Sequence, residues 1–239
     1  MNSVSKAIAT AVLAPIGPEW ERTSISARVY KELRKAIVSM QLLPGHTLSE
    51  AEIARQLGTS RQPVREAFIK LAEAGFIEIK PQKGTQVLKI SSGEVANARY
   101  LRQTLEVAIA RRSAEKPDHA TLKEIRLILD AQLRACKSDD HAGFIRLDDD
   151  FHRLVAIAGG FGKMWRLVED LKGQMDRVRF LSIPEATPMM RLIEQHTEVA
   201  DCIQVGDPDG AGNAMQRHLS EMLISLPILA ERHPELFSD

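Results

Sequence analysis

Apolar residues between Ser24 and Met40 fall at Ile25, Val29, Leu33, Ala36 and Ile37, a spacing that predicts one helix with a single inner face. Leu43-Pro44-Gly45 then leads into a denser stretch. Ser49 and Glu52 form the S-x-x-E pattern of a capping box ahead of Ile53, Ala54 and Leu57, and Gly58 ends that short helix. Ser60 is placed to cap a second helix whose first turn holds Arg61, Gln62 and Pro63, with Arg65 one turn on. A proline is tolerated there because first-turn amides have no intrahelical acceptor. Val64, Ala67, Phe68 and Leu71 supply the inner face, and Gly75 stops the helix. The period then shortens to two. Ile77 and Ile79 alternate with polar residues, Pro81-Gln82-Lys83-Gly84 turns the chain, and Gln86-Val87-Leu88 returns it. This order predicts a winged helix-turn-helix, α+β in class, built to put a helix N-terminus into a DNA major groove.

After Ser91-Ser92-Gly93 the β signals disappear and helical periodicity takes over. Helices are expected over 94–115, 118–137, 139–158, 162–182, 186–205 and 208–229, with Pro117, Gly159-Gly160, Pro184 and Gly206 between them. Short connections between such helices describe an all-α antiparallel bundle. The expected fold is therefore mainly α. Residues 1–22 read as a mobile arm, 23–90 as the winged domain, 91–93 as a linker, 94–232 as the helical domain and 233–239 as a C-terminal tail.

Composition changes one part of this picture. At 239 residues and 44% hydrophobic content, the chain has room for one large or two modest domains with proper cores. A formal net charge of zero argues against nucleic acid until the chain is divided. Residues 21–90 hold 12 Lys/Arg against 7 Asp/Glu, whereas 91–239 hold 19 against 24. A basic module is joined to an acidic one, and the modest excess implies that DNA binding needs two copies or good geometry. Cys136 and Cys202 share no metal-motif spacing and suggest no disulfide framework; packing is the main reading and a redox switch the lesser one. No apolar run approaches the roughly 20 residues of a membrane span. Lys6 followed by AIATAVLAPIG faintly mimics a signal peptide but is short and Ala-rich, so the expectation is an arm on a cytoplasmic protein.

The candidate chemistry of the second domain lies in histidines. Asp148 and His152 are four apart and project from one face of one helix, about 6 Å apart in rise. His196 and His218 lie eleven residues before and after Asp207, which with Pro208 looks like the cap and first turn of a new helix. In an antiparallel hairpin, positions equidistant from the turn sit at one height, so the two imidazoles can face each other. Three imidazoles and a carboxylate would bind a divalent transition metal such as Zn²⁺, Ni²⁺, Cu²⁺ or Mn²⁺. Spacing alone leaves unrelated histidines as an equal reading. Asp149 and Asp150 read as solvated charges, His119 and His141 as helix starts, His233 as part of a disordered end and His46 as a loop residue.

On these residues the chain resembles GntR-type bacterial transcription regulators of the FadR subfamily, which carry an all-helical effector domain. The resemblance covers about residues 24–230. It rests on LPGHTLSEAEIARQLGTSRQPVREAFIKLAEAGFIEIKPQKGTQV in the first domain and on LRQTLEVAIA, DDDFHRLVAIA and EQHTEVADCIQVGDPDGAGNAMQRHL in the second. It implies that Asp148, His152, His196 and His218 are metal ligands, with zinc the first expectation and nickel, manganese or copper open. It also implies that Arg102 meets the carboxylate of a small organic acid, against the structural alternative of pairing with Glu106 at i+4. On DNA, Arg61 and Arg65 match base-reading or phosphate-gripping arginines, Gln62 stands at the helix nose, and Lys83 and Gly84 match a minor-groove wing tip. Arg55 is a phosphate candidate or equally a solvated charge. Two departures stand out: Gly159-Gly160-Phe161-Gly162 replaces a common Asn-Pro, and Ala51 stands where some relatives have arginine. The implied protein is a homodimeric, ligand-responsive repressor of a pseudo-palindromic operator, and not an enzyme. One competing reading is a regulator with a purely structural metal. The other is a metal-dependent hydrolase or oxygenase, disfavoured because no separate general base or nucleophile motif is found.

Overall fold

The computed structural model describes Leu13, residues 24–80 and residues 84–238. The chain divides into two compact units between Ser91 and Ser92, with Glu235 and the residues after it returning to the first.

The first unit holds α1 (Ile25–Val38), β1 (Thr47–Leu48), α2 (Glu50–Gln56), α3 (Arg61–Glu73), β2 (Ile77–Lys80) and β3 (Gly84–Val87). Val29, Leu33 and Ile37 of α1 pack with Val64, Phe68 and Leu71 of α3 and with Phe76 in a continuous core. Each such side chain contributes about 1.5–3 kcal/mol by leaving water. The sheet is antiparallel in the order β1-β3-β2, with Thr47 opposite Gln86 and Ile77 opposite Val87. Of the two isoleucines expected to alternate inward on β2, Ile77 is buried but Ile79 is exposed. Leu13 lies in the same core, its amide donating to Gln56 Oε1 at 3.2 Å; the rest of the arm expected over 1–22 lies outside the described residues.

Two caps differ from expectation. The Ser49 hydroxyl accepts from the Glu52 amide, but the Glu52 carboxylate turns away to Arg55 and Gln56, so only half of the capping box forms. Ser60 occupies the N-cap of α3 in an extended conformation but makes no capping hydrogen bond. The residue three beyond it is Pro63, which has no amide hydrogen to donate.

Residues 233–238 are ordered where a disordered end was expected. Phe237–Ser238 (β5) pair in parallel with Ile90–Ser91 (β4), the Ile90 amide donates to Leu236 O at 2.9 Å, and Phe237 is buried. His233 Nε2 lies 2.9 Å from a Glu185 carboxylate oxygen.

The second unit comprises α4 (Ser92–Glu115), α5 (His119–Lys137), α6 (His141–Ala158), α7 (Trp165–Leu171), α8 (Gly173–Glu185), α9 (Met189–Val205), α10 (Pro208–Leu219) and α11 (Glu221–Arg232). α10 packs on α4 and α9, and α5 packs on α6 and α9, around Ile125, Phe151, Val155, Val199, Ile203 and Met215. The α9–α10 turn forms as its residues dictate: Gly206 takes the left-handed conformation at φ 72°, and Asp207 caps α10 through the Gly210 amide. Two expected helices are broken. Residues 162–182 become a 3₁₀ turn, α7 and α8, with the break at Lys172, whose buried ammonium lies 2.6 Å from Asp149 and 3.1 Å from Asp176. Pro184, expected between helices, sits inside the last turn of α8. Residues 208–229 break at Ser220, whose hydroxyl donates to Gln216 O at 2.7 Å, a back-bond that bends helices.

Candidate metal centre

Three helices bring four side chains to one point inside the helical unit. α6 supplies Asp148 and His152 from adjacent turns, α9 supplies His196, and α10 supplies His218. One ligand-type atom from each lies within 4.8 Å of all the others, and the four residues are 3%, 1%, 0% and 6% exposed. His218 Nε2 is 3.1 Å from His152 Nε2 and 3.2 Å from His196 Nε2. Asp148 completes the group, with Oδ2 3.6 Å from His152 Nε2 and Oδ1 3.4 Å from His196 Nε2.

The outward nitrogens decide what the inward ones can do. His196 Nδ1 lies 2.9 Å from Gln132 Oε1, and that amide is oriented by its NH₂ donating to Leu147 O at 3.1 Å. His218 Nδ1 lies 3.1 Å from Gln195 Oε1, and Gln195 donates from Nε2 to Glu221 at 2.6 Å. His152 Nδ1 lies 2.5 Å from Glu106 Oε2, a carboxylate that can only accept. His196 and His218 can thus donate at Nδ1 and, when neutral, keep a lone pair at Nε2, while His152 Nδ1 lies against Glu106 without an aligned hydrogen bond. With the Nε2 atoms of His152 and His196 at 3.1 and 3.2 Å from that of His218, the three inward nitrogens suit a shared cation. The separations also suit an ion with bonds of about 2.0–2.1 Å. Acceptors behind ligating imidazoles are the usual support for a metal.

Electrostatics agree. Burial, then the neighbouring His152, push the His196 imidazole well below its ordinary value; burial, then His196 and His152, do the same to His218. Both are therefore held neutral and ready to ligate. Burial alone would raise the Asp148 carboxyl, but Arg179, His152 and His218 outweigh it and keep it low. Arg179 is the hub of that effect. It contacts Asp148, lies 2.9 Å from Asp149 and 3.0 Å from Asp176, and is itself buried. Asp149 is therefore no free solvated charge, whereas Asp150 pairs near the surface with Arg153 at 3.1 Å. Phe151 stacks on His196 at 4.2 Å between ring centres.

A small cavity of about 50 Å³ adjoins the cluster. Asp148 and His218 line it together with Arg102, Arg179, Ser182, Met222 and Ser225. Arg102 is paired through Nε with Glu106, yet its Nη2 is buried without a hydrogen-bond partner. The structural pairing and the position at the cavity coexist.

The DNA-side candidates lie in the first unit. Arg61, Gln62 and Arg65 are exposed at the start of α3; Gln62 bonds Glu66 at 3.2 Å, and Arg65 pairs with Glu50 at 3.2 Å. Arg55 is exposed and pairs with Glu52 at 2.5 Å. Gly84 opens β3 with φ 92°, opposite Lys80, while Lys83 lies outside the described residues.

Reading the sequence missed Gln132, Gln195 and Arg179 as parts of the site. Gln195 stands next to His196 in a quoted motif and could have been suspected. Gln132 and Arg179 approach from other helices and carry no local signal. In sequence Glu106 stands out only as the i+4 partner of Arg102, not as the carboxylate behind His152.

Residues 99–221 match the FCD domain, and residues 25–87 match the family described as bacterial regulatory proteins, gntR family. The chain is 37% identical over 215 residues to the HTH-type transcriptional repressor RspR of Escherichia coli K12, covering 90% of this chain and 94% of that one. It is 27% identical over 237 residues to the HTH-type transcriptional repressor NanR of Cronobacter sakazakii, covering 88% of each. Among solved structures, E. coli McbR/YncC superposes with a TM-score of 0.74 at 19% identity over 88% of this chain and 99% of that one. A GntR regulator from Rhodococcus sp. RHA1 gives 0.70 at 24% identity over 84% and 98%. These two likenesses speak for the fold.

Proposed function

Because the chain belongs to the GntR family of bacterial regulatory proteins and carries an FCD domain, we propose that it is a metal-containing, ligand-responsive transcriptional repressor. The family is one of transcription regulators, not enzymes. In this reading residues 23–90 bind operator DNA, and 94–232 bind the effector and hold two chains together. A homodimer presents two α3 helices to the half-sites of a short pseudo-palindrome. Location in the cytoplasm follows from that role; among the described residues no helix is long and apolar enough to cross a membrane.

One observation carries the sensing half: the Nε2 atoms of His152, His196 and His218 converge beside Asp148 while every Nδ1 faces an oxygen acceptor. The donor set, three imidazoles and one carboxylate, fits a divalent transition ion, zinc first. Such an ion would supply a Lewis-acid anchor for an anionic oxygen. The chain supplies the remainder. Arg179 holds Asp148 in place, and Arg102, which lines the cavity, has a buried Nη2 without a partner, a donor suited to a carboxylate. Ser182 and Ser225 on the cavity wall suit hydroxyl groups of a small organic acid. For this binding to regulate, the acid must favour one arrangement of the dimer over another.

On the DNA side, support comes from α3. Its first-turn amides lack a side-chain cap, and Arg61, Gln62 and Arg65 surround them, a combination suited to phosphate and guanine. The test is a melting screen of small hydroxy- and keto-acids on the zinc-loaded protein, followed by operator release with each hit. An acid that raises melting and shifts operator affinity is expected. Metal binding with no response to any acid would overturn the sensing role and leave a structural metal.

A further inference from the structure

Glu106 is the carboxylate that touches both halves of the proposed site. It sits on α4, 3% exposed at its side chain, four residues after Arg102 and across from α6. Its Oε1 receives Arg102 Nε, and its Oε2 lies 2.5 Å from His152 Nδ1. One buried carboxylate thus lies against both an arginine and a histidine. The three histidines are supported unequally. Gln132 and Gln195 are neutral amides; only His152 is backed by a charge.

We infer that Glu106 is a positioning residue that joins metal binding to anion binding. One oxygen fixes the His152 ring with Nε2 inward. The other fixes the Arg102 guanidinium so that its unpaired Nη2 is presented to a carboxylate in the cavity. The two events therefore support each other. A carboxylate on Nη2 takes up part of the Arg102 charge and leaves Glu106 a stronger acceptor. His152 Nδ1–H is then drawn harder, and Nε2 becomes a better donor to the metal. By reciprocity, the metal strengthens the hold on the carboxylate by the same factor. This assignment rests on the metal-site reading proposed above.

The experiment uses the full chain, Co²⁺ as metal probe and acetate as carboxylate probe. Co²⁺ affinity is read from its visible absorption in competition with a chelator, with and without acetate, and metal-free melting is recorded in parallel. Glu106→Gln is expected to weaken Co²⁺ by about 10–100-fold and to abolish the gain from acetate, whereas Arg102→Gln should lose that gain. Glu106→Asp, which keeps the charge, should restore part of the Co²⁺ affinity. A Glu106→Gln protein that binds Co²⁺ like wild type, or an Arg102→Gln protein that keeps the full acetate gain, overturns the assignment. Should Glu106→Gln fail to fold, the ring ¹⁵N spectrum of metal-free wild type decides. His152 protonated at Nδ1 supports the assignment, and the Nε2–H tautomer contradicts it. Wild type that takes up no Co²⁺ defeats the metal reading itself; wild type that binds while Glu106→Gln binds equally defeats only the role of Glu106.

Discussion

The nose of α3 and the cluster between α6, α9 and α10 are both crowded with polar side chains, but they hold them in opposite ways. At the nose, Arg61, Gln62 and Arg65 are exposed, and their ties to Glu66 and Glu50 are single contacts at 3.2 Å. In the cluster, Asp148, His152, His196 and His218 are buried, and each has a partner fixed in turn by another residue. The first arrangement leaves donors available to a partner at little structural cost. The second costs desolvation that only a complete set of partners can offset. Substitutions should therefore separate cleanly, disturbing binding without stability at the nose and both together in the cluster.

The largest expected effect is at Arg179. Replacing it with alanine strips the buried Asp148 and Asp176 of a cation and should cost about 3–5 kcal/mol in urea unfolding. A loss near that of a surface pair would mean that water reaches these carboxylates and that the contrast between the regions is false. Next comes Arg61→Ala, expected to weaken operator binding by about 1–3 kcal/mol and to relax base preference while leaving melting unchanged. Operator DNA obtained by selection from a random pool provides the assay. Equal affinity and equal preference would remove Arg61 from the reading of bases.

The smallest effect is in pH. His196 and His218 have folded-state pKa values below the ordinary 6.5, through burial first and neighbouring imidazoles second. The unfolded chain takes up protons at these positions as pH falls through about 6.5, and the folded chain resists. Their contribution is thus fully present above that pH and is lost progressively below it. Unfolding of the metal-free protein should become easier between pH 7 and pH 5. Replacing His218 with glutamine should flatten that slope, and an unchanged slope would show that the histidines do not titrate as buried groups.

The same contrast explains what could be read in advance. Features set by neighbours in sequence were legible. The stripe of Val29, Leu33 and Ile37 gives α1, Gly206-Asp207-Pro208 gives the α9–α10 turn, and equal spacing about Asp207 brings His196 and His218 to one level, where their Nε2 atoms lie 3.2 Å apart. Features set by partners distant in sequence were not. The helix break at Lys172 coincides with an ion pair to Asp149 on α6, and the neighbouring Gly173 is the only local sign of it. Gln132 and Arg179 reach the cluster from α5 and α8, where they look like ordinary polar positions. Ser60 fails as a cap through a residue three further on, Pro63, a local cause that the pattern did contain.

X-ray absorption of the full-length protein loaded with one equivalent of Zn²⁺ and dialysed tests the central claim most directly. The account predicts a single retained ion with three imidazoles and an oxygen donor around it, and loss of one imidazole and most of the metal in His218→Ala. A chain that retains no zinc, or zinc whose surroundings are unaltered by that substitution, would contradict it.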